Sequence, residues 1–254
     1  MNEHAGELRV IPLPIKGEIR VGDALDRRIL EACRERRVSF RAGDILIVKH
    51  KVVSKAEGSI VDLSKMRPST STTAWAKRYR LDARVTELAL REAKQVIRRQ
   101  NGVLITETSH GFICANSGVD VSNVDGGKHA VLLPRDGDKS ARQLYRALRK
   151  KLSFPVPVII CDSWGRAWRE GLTESAIGVA GMKALHDYRG TRDSHGYELH
   201  ASVDAVADQL ACAAGLVCGK LSGTPACIVR GFQYKPGRGS SRDLLRPVKN
   251  DLFR

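Results

Sequence analysis

The chain has 254 residues, 42% hydrophobic and 28% charged, the composition of a soluble globular protein long enough to bury a large core. No apolar run approaches the roughly 20 residues that span a bilayer. The opening MNEHAGELRV also lacks an apolar signal core, so no membrane partner is expected and the expected setting is the cytoplasm. The formal charge of +15 suits anionic partners, but aromatics are only 5% and no nucleic-acid fold motif is present, so nucleic acid is not expected as a partner.

Taken in chain order, LRVIPL at 8–13 reads as an opening strand, and 23–37 places Leu25, Ile29, Ala32 and Cys33 at helical spacing. A buried strand is predicted over 45–48, followed by a short extended piece at Val52 and Val53 and a turn at Gly58. The polar MRPSTSTTA at 66–74 reads as a linker. Asp82 then caps a helix with Val85, Leu88, Ala89 and Val96 on one face and a Glu87–Arg91 surface pair. A hairpin over 103–115 turns at Ser109 and His110, and a basic amphipathic helix covers 139–152. The apolar run 155–160 is a buried strand ending near Asp162, and a mixed, Gly-rich stretch runs on to about residue 200. A helix over 203–219 with Ser202 as its cap, a late strand at 226–229 and a mobile basic tail from Lys235 complete the reading. Strands and helices alternate without strict βαβ order, so the fold class is mixed α/β (α+β).

The six cysteines are scattered without a CxxC pair, which favours buried apolar thiols over a structural zinc site. Four segments look like sites. In CDSWGRAWREG at 161–171, Asp162 and Ser163 offer oxygen ligands for a hard cation, and Arg166 and Arg169 offer forks for anions. KVVSKAEG at 51–58 presents two lysines and a serine, although no P-loop occurs anywhere in the chain. ANSGVDVSNVDGG at 115–127 crowds oxygen and amide groups, a pattern that Asx turns explain equally well. VCGKLSGTP at 217–225 reads as a helix stop and connection.

These segments, with SAIGVAGM at 175–182, DYRG and GYEL between 187 and 199, and PACIVRGF at 225–232, occur in one order that resembles the F420 γ-glutamyl ligase family from about residue 17 to about residue 234. The resemblance implies a two-domain α/β fold that is neither Rossmann nor ATP-grasp. It suggests one ligase unit over 1–240 with a subdomain boundary near 66–80, and a basic tail over 241–254. It implies GTP-dependent ligation of L-glutamate to the lactyl carboxylate of coenzyme F420-0, γ-linked extension, an acyl-phosphate route and a homodimer. Asp120 and Asp162 are the implied holders of Mn²⁺ or Mg²⁺, Ser163 serves a second metal, and K⁺ is a further candidate. Gly17, Glu18, Ile19, His50, Lys51, Lys55, Asn123, Cys218, Gly219 and Lys220 fall at nucleotide-contacting positions, and Asp120, Asp162, Arg166 and Arg169 carry the chemistry. Two departures stand out: His50 replaces an expected serine or glutamine, and Lys220 stands where some archaeal members carry a second-metal glutamate. A protonated lysine cannot ligate a cation, so Lys220 is expected to neutralise phosphate directly. Competing readings are a same-family ligase with another carboxylate acceptor and an inactive, basic nucleic-acid-binding relative.

Overall fold

The computed structural model describes residues 6–252. Strand β1 (Arg9–Leu13) is followed by helix α1 (Leu25–Glu35), which turns Ile29, Ala32 and Cys33 inward as their spacing predicts. In β2 (Ile45–Lys49) four successive residues are buried, as in a strand covered on both faces. Helix α2 (His50–Ala56) begins at the next residue, where the sequence suggested extended chain. The β-branched Val52 and Val53 favour a strand, but in so short a helix tertiary burial outweighs propensity, and Val53, Ser54 and Lys55 are all buried.

After β3 (Ile60–Asp62), the stretch read as a linker becomes helix α3 (Thr70–Tyr79), with the Ser69 hydroxyl accepting the Thr72 N–H at 3.2 Å. The serines and threonines that suggested a loop are its cap and first turn. Asp82 caps α4 (Ala83–Glu92) as expected, accepting the Arg84 N–H at 2.8 Å, and Arg91 lies 3.4 Å from Glu87. The helix stops before Val96, which lies in β4 (Ala93–Gln100). Strands β5 (Val103–Thr108) and β6 (Ile113–Ala115) form the expected hairpin and continue the β4 sheet, while β7 (His129–Val131) pairs with β3.

Helix α5 (Gly137–Leu152) precedes β8 (Val158–Arg166) and the long β9 (Arg169–Ala180), which the sequence reading left unassigned. The short pair β10 (His186–Asp187) and β11 (Val203–Asp204) leads into α6 (Val206–Cys218), whose cap position is Ala205 rather than Ser202, and β12 (Ala226–Arg230) ends the sheet. The central sheet runs β1-β12-β2-β8-β9, and only β2 and β8 are parallel. Alternation sorts its two faces. Leu46, Val48, Val158 and Ile160 pack with α1 and α5, and Ile45, Ile47 and Ile159 pack with α6. A third cluster joins Leu63 and Met66 to Leu88, Leu104 and Ala130 around α4 and β5. Each such Leu, Ile or Val contributes about 1.5–3 kcal/mol by leaving water. The result is a mixed α/β fold, and no helix among the described residues is long and apolar enough to cross a membrane.

The stretch after Lys235, expected to be mobile, is docked instead. Ser240 and Asp243 form a capping box on a short helical turn, and the buried Asp138 accepts the Ser241 N–H at 2.9 Å and the Val179 N–H at 2.8 Å. Beside Asp138 the first turn of α5 presses onto β9 so closely that a Cβ on Gly178 would lie 2.2 Å from the Gly137 carbonyl oxygen. Gly178→Ala is therefore expected to destabilise the protein by about 2 kcal/mol and lower Tm by roughly 5 °C. Gly165→Ala, where a Cβ would meet nothing within 4 Å, is the control and should leave Tm close to wild type. Thermal unfolding followed by circular dichroism checks both.

Candidate functional site

The cleft exists because β8 outruns β2. The two strands pair only from Leu46–Val158 to Lys49–Cys161; β2 then turns into α2, while β8 kinks between Ile160 and Cys161 and continues as a hairpin with β9. Asp162 is thus not the end of its own strand, as the sequence suggested, but the first position beyond its lost partner. The opening at the carboxyl end of the parallel pair is where α/β sheets place ligands. The loop at 15–19, the first turn of α2, Asp120 and Asn123, and the loop at 219–225 close around it, enclosing about 370 Å³.

Asp120 is positioned by a two-way backbone bridge to Val131, its N–H donating to the Val131 carbonyl at 3.0 Å and its carbonyl accepting from Val131 at 2.8 Å. Its Oδ2 lies 2.7 Å from Lys51 Nζ, and its Oδ1 accepts the Ser122 N–H at 2.6 Å. Burial alone would raise the Asp120 pKa, but the Lys51 ammonium and the Ser122 donors hold it below the ordinary carboxylate value. Lys51 Nζ also donates to the Ser122 hydroxyl at 2.6 Å. Lys55 pairs with Glu18 and donates to the Asn123 carbonyl at 3.0 Å, tying α2 to both flanking loops.

His50, only 2% exposed, brings Nε2 within 3.2 Å of Asp162 Oδ1, without the alignment of a hydrogen bond. The Ser163 N–H donates to that same oxygen at 2.7 Å, and the Ser163 hydroxyl receives the Lys220 ammonium. The Asn123 side-chain amide reaches the Lys220 carbonyl at 3.5 Å, so the 120–123 segment and the loop after α6 touch across the cleft.

Most of the residues singled out from the sequence meet here: Asp120, Asp162 and Ser163; His50, Lys51 and Lys55; Gly17 to Ile19; and Asn123, Gly219 and Lys220 all line the cleft. Three do not. Cys218 is buried beneath the loop with its Sγ 2.8 Å from that of Cys227, and Arg166 and Arg169 lie exposed on the far part of the β8–β9 hairpin. The sequence reading missed the Lys49–Glu174 ion pair at the cleft floor, where Glu174 is 8% exposed and its Oε2 has no hydrogen-bond donor. Recognising Glu174 required seeing β9, for which the apolar run from Ala176 to Ala180 was the available signal. The cysteines behave as the apolar groups expected: burial pushes the Cys33 thiol up to about 11 and the Cys114 thiol up to about 12, so both stay protonated at neutral pH.

The residues present fit one divalent ion. Among the described residues no cluster of three or more His, Cys, Asp or Glu side chains could cage a metal. Asp120 and Asp162 line the same cleft, and one or two carboxylates completed by substrate phosphate and water are the usual setting for Mg²⁺. The charges make the same point. Four lysines (49, 51, 55 and 220) face four carboxylates (Glu18, Asp120, Asp162 and Glu174), so the walls are formally neutral and a strongly anionic ligand would be held best with a cation beside it.

Comparison with known proteins identifies relatives of this chain. The family model for F420-0:γ-glutamyl ligase matches residues 15–231. The chain is 41% identical over 252 residues to coenzyme F420:L-glutamate ligase of Methanopyrus kandleri, covering 97% of this chain and 98% of that one. It is 40% identical over 245 residues to the protein of that name from Methanothermobacter thermautotrophicus, covering 95% and 96%. Against that of Methanocaldococcus jannaschii the identity is 41% over 213 residues, covering 84% and 85%. With a matched model spanning the whole cleft and relatives aligned nearly end to end, the chain belongs to the F420-0:γ-glutamyl ligase family.

Proposed function

We propose that this protein uses GTP to join L-glutamate to the lactyl carboxylate of coenzyme F420-0, and extends the product through γ-glutamyl links, in F420 biosynthesis. One observation carries the reading: acidic and basic side chains from distant motifs converge on a single charge-balanced cleft, in a chain 41% identical over 97% of its length to an enzyme named for glutamate ligation to F420.

A carboxylate is a poor electrophile and needs activation. In the proposed route the acceptor carboxylate attacks the γ-phosphorus of GTP, forming an acyl phosphate and releasing GDP. The amine of L-glutamate then attacks the acyl carbon, the amide forms, and inorganic phosphate and a proton leave. Such transfers need positioning and charge neutralisation more than a protein nucleophile. Lys51 and Lys55, each balanced by a carboxylate, hold the 120–123 segment in place from α2, and Asn123 closes the cleft toward the 219–225 loop. A divalent ion, Mg²⁺ or Mn²⁺, held by Asp120 and Asp162 would neutralise charge on the transferring phosphoryl group. His50 steadies Asp162 from behind, as outer partners of metal-binding carboxylates do. Arg166 and Arg169, outside the cleft on the hairpin, are assigned to the anionic acceptor rather than to the nucleotide. Trp168 and Leu172 on the same hairpin, 83% and 61% exposed, support the homodimer, since exposed apolar surface of this kind favours association.

Incubation with GTP, Mg²⁺ or Mn²⁺, L-glutamate and F420-0, read by mass spectrometry, should give products heavier by one or more glutamate residues only when GTP is present. No increment under either metal would sink the reading, and an increment on another carboxylate but not on F420-0 would move it to a different acceptor. Asp162→Asn is expected to lower kcat by about 100-fold or more, several kcal/mol of transition-state stabilisation, with Tm little changed. Arg166→Ala and Arg169→Ala should raise KM for F420-0 by about tenfold, the loss of roughly one charge-assisted hydrogen bond. Their KM for GTP should stay near wild type, and steady-state kinetics with each substrate varied in turn separates the two.

A further inference from the structure

The four cleft lysines are not equivalent. Lys49 is paired with Glu174, Lys51 with Asp120 and Lys55 with Glu18. Among the described residues Lys220 has no carboxylate partner; its ammonium donates to the hydroxyl of Ser163 alone, from an exposed loop that forms one wall of the cleft. Asp162, next to Ser163 in the chain, is the converse case: it faces the His50 imidazole rather than a lysine. The cleft therefore carries one lysine without a carboxylate partner and one carboxylate without a lysine partner, side by side at the point where β8 leaves β2.

We propose that Lys220 serves as a built-in cation for the phosphate chain of the nucleotide, so that each site takes one divalent ion, at Asp120 and Asp162, and none at Ser163. The Ser163 hydroxyl is already engaged by an ammonium. A divalent ion on that oxygen would sit within a few ångströms of a like charge, while the carboxylates beside it are committed, Asp162 to the first ion and Glu174, across the strand pair, to Lys49. An anionic phosphate oxygen, by contrast, completes the unfilled valence of the ammonium, a compact point charge on a flexible stem suited to phosphate. This inference rests on the reading of the cleft as a nucleotide site.

The test is Mn²⁺ stoichiometry, measured by electron paramagnetic resonance titration of the full chain, both without nucleotide and with the non-hydrolysable guanosine 5′-(β,γ-imido)triphosphate. Wild type should saturate at one Mn²⁺ per chain, and Lys220→Glu, which turns the cation into a ligand beside Ser163, at two. Lys220→Met should bind the imido analogue about tenfold more weakly at saturating Mn²⁺, while Lys220→Arg should stay within a few-fold of wild type. Two ions or none per wild-type chain, or Lys220→Glu remaining at one, would overturn the proposal. Failure of the imido analogue to bind wild type would instead overturn the nucleotide reading and with it the role of Lys220 toward phosphate.

Discussion

The parting of β2 from β8 is the constraint on which the rest of this structure depends. Up to Lys49 and Cys161 the two strands share hydrogen bonds and bury residues on both faces. Beyond that point β2 turns at once into α2, and β8 bends away to pair with β9 alone. The geometry does three things together. It opens a crevice at the carboxyl end of the parallel pair, swings His50 and Lys51 toward that crevice, and leaves Asp162 and Ser163 facing it without a neighbouring strand. Because the strands are anchored in two apolar layers, the acids and lysines are held by a rigid frame rather than by loops alone.

Electrostatics then decides what such a crevice can hold. Overall the chain is strongly basic, yet the cleft walls balance, with each of three lysines neutralised by a carboxylate at contact distance. The charge of +15 is therefore a property of the outer surface, suited to attracting anions from a distance but not to gripping them. In the proposed function, specific holding comes from polar side chains already oriented by their neighbours, and from a cation that arrives with the ligand. Lys51 keeps Asp120 ionised against the effect of burial, which keeps that carboxylate ready for such a cation.

Much of this was legible in the sequence, for identifiable reasons. The amphipathic spacing of α1 and α5, the capping aspartate of α4 and the apolar runs of β2 and β8 each stated their structure locally. Where two local signals competed, the reading failed. Val52 and Val53 favour a strand but sit in a helix stabilised by what buries it; the serines and threonines at 69–73 resemble a loop but cap and begin α3; and Val96 continues the period of α4 past the helix end into β4. In the site, residues carried by contiguous motifs were found, whereas Lys49 and Glu174 were not, because their pairing joins β2 to β9 across β8. Cys218 lies in a motif that does line the cleft, but its own side chain turns into the core against Cys227. Sequence adjacency cannot say which way a side chain faces at a helix end.

In the proposed function a formally neutral cleft binds a guanine nucleotide through a divalent ion held by Asp120 and Asp162. Titration calorimetry of GTP into the protein, once with excess Mg²⁺ and once with chelator, tests it most directly. Binding should be at least tenfold tighter with Mg²⁺, about 1.4 kcal/mol or more. Equal affinity in chelator, or no GTP binding in either condition, would contradict it.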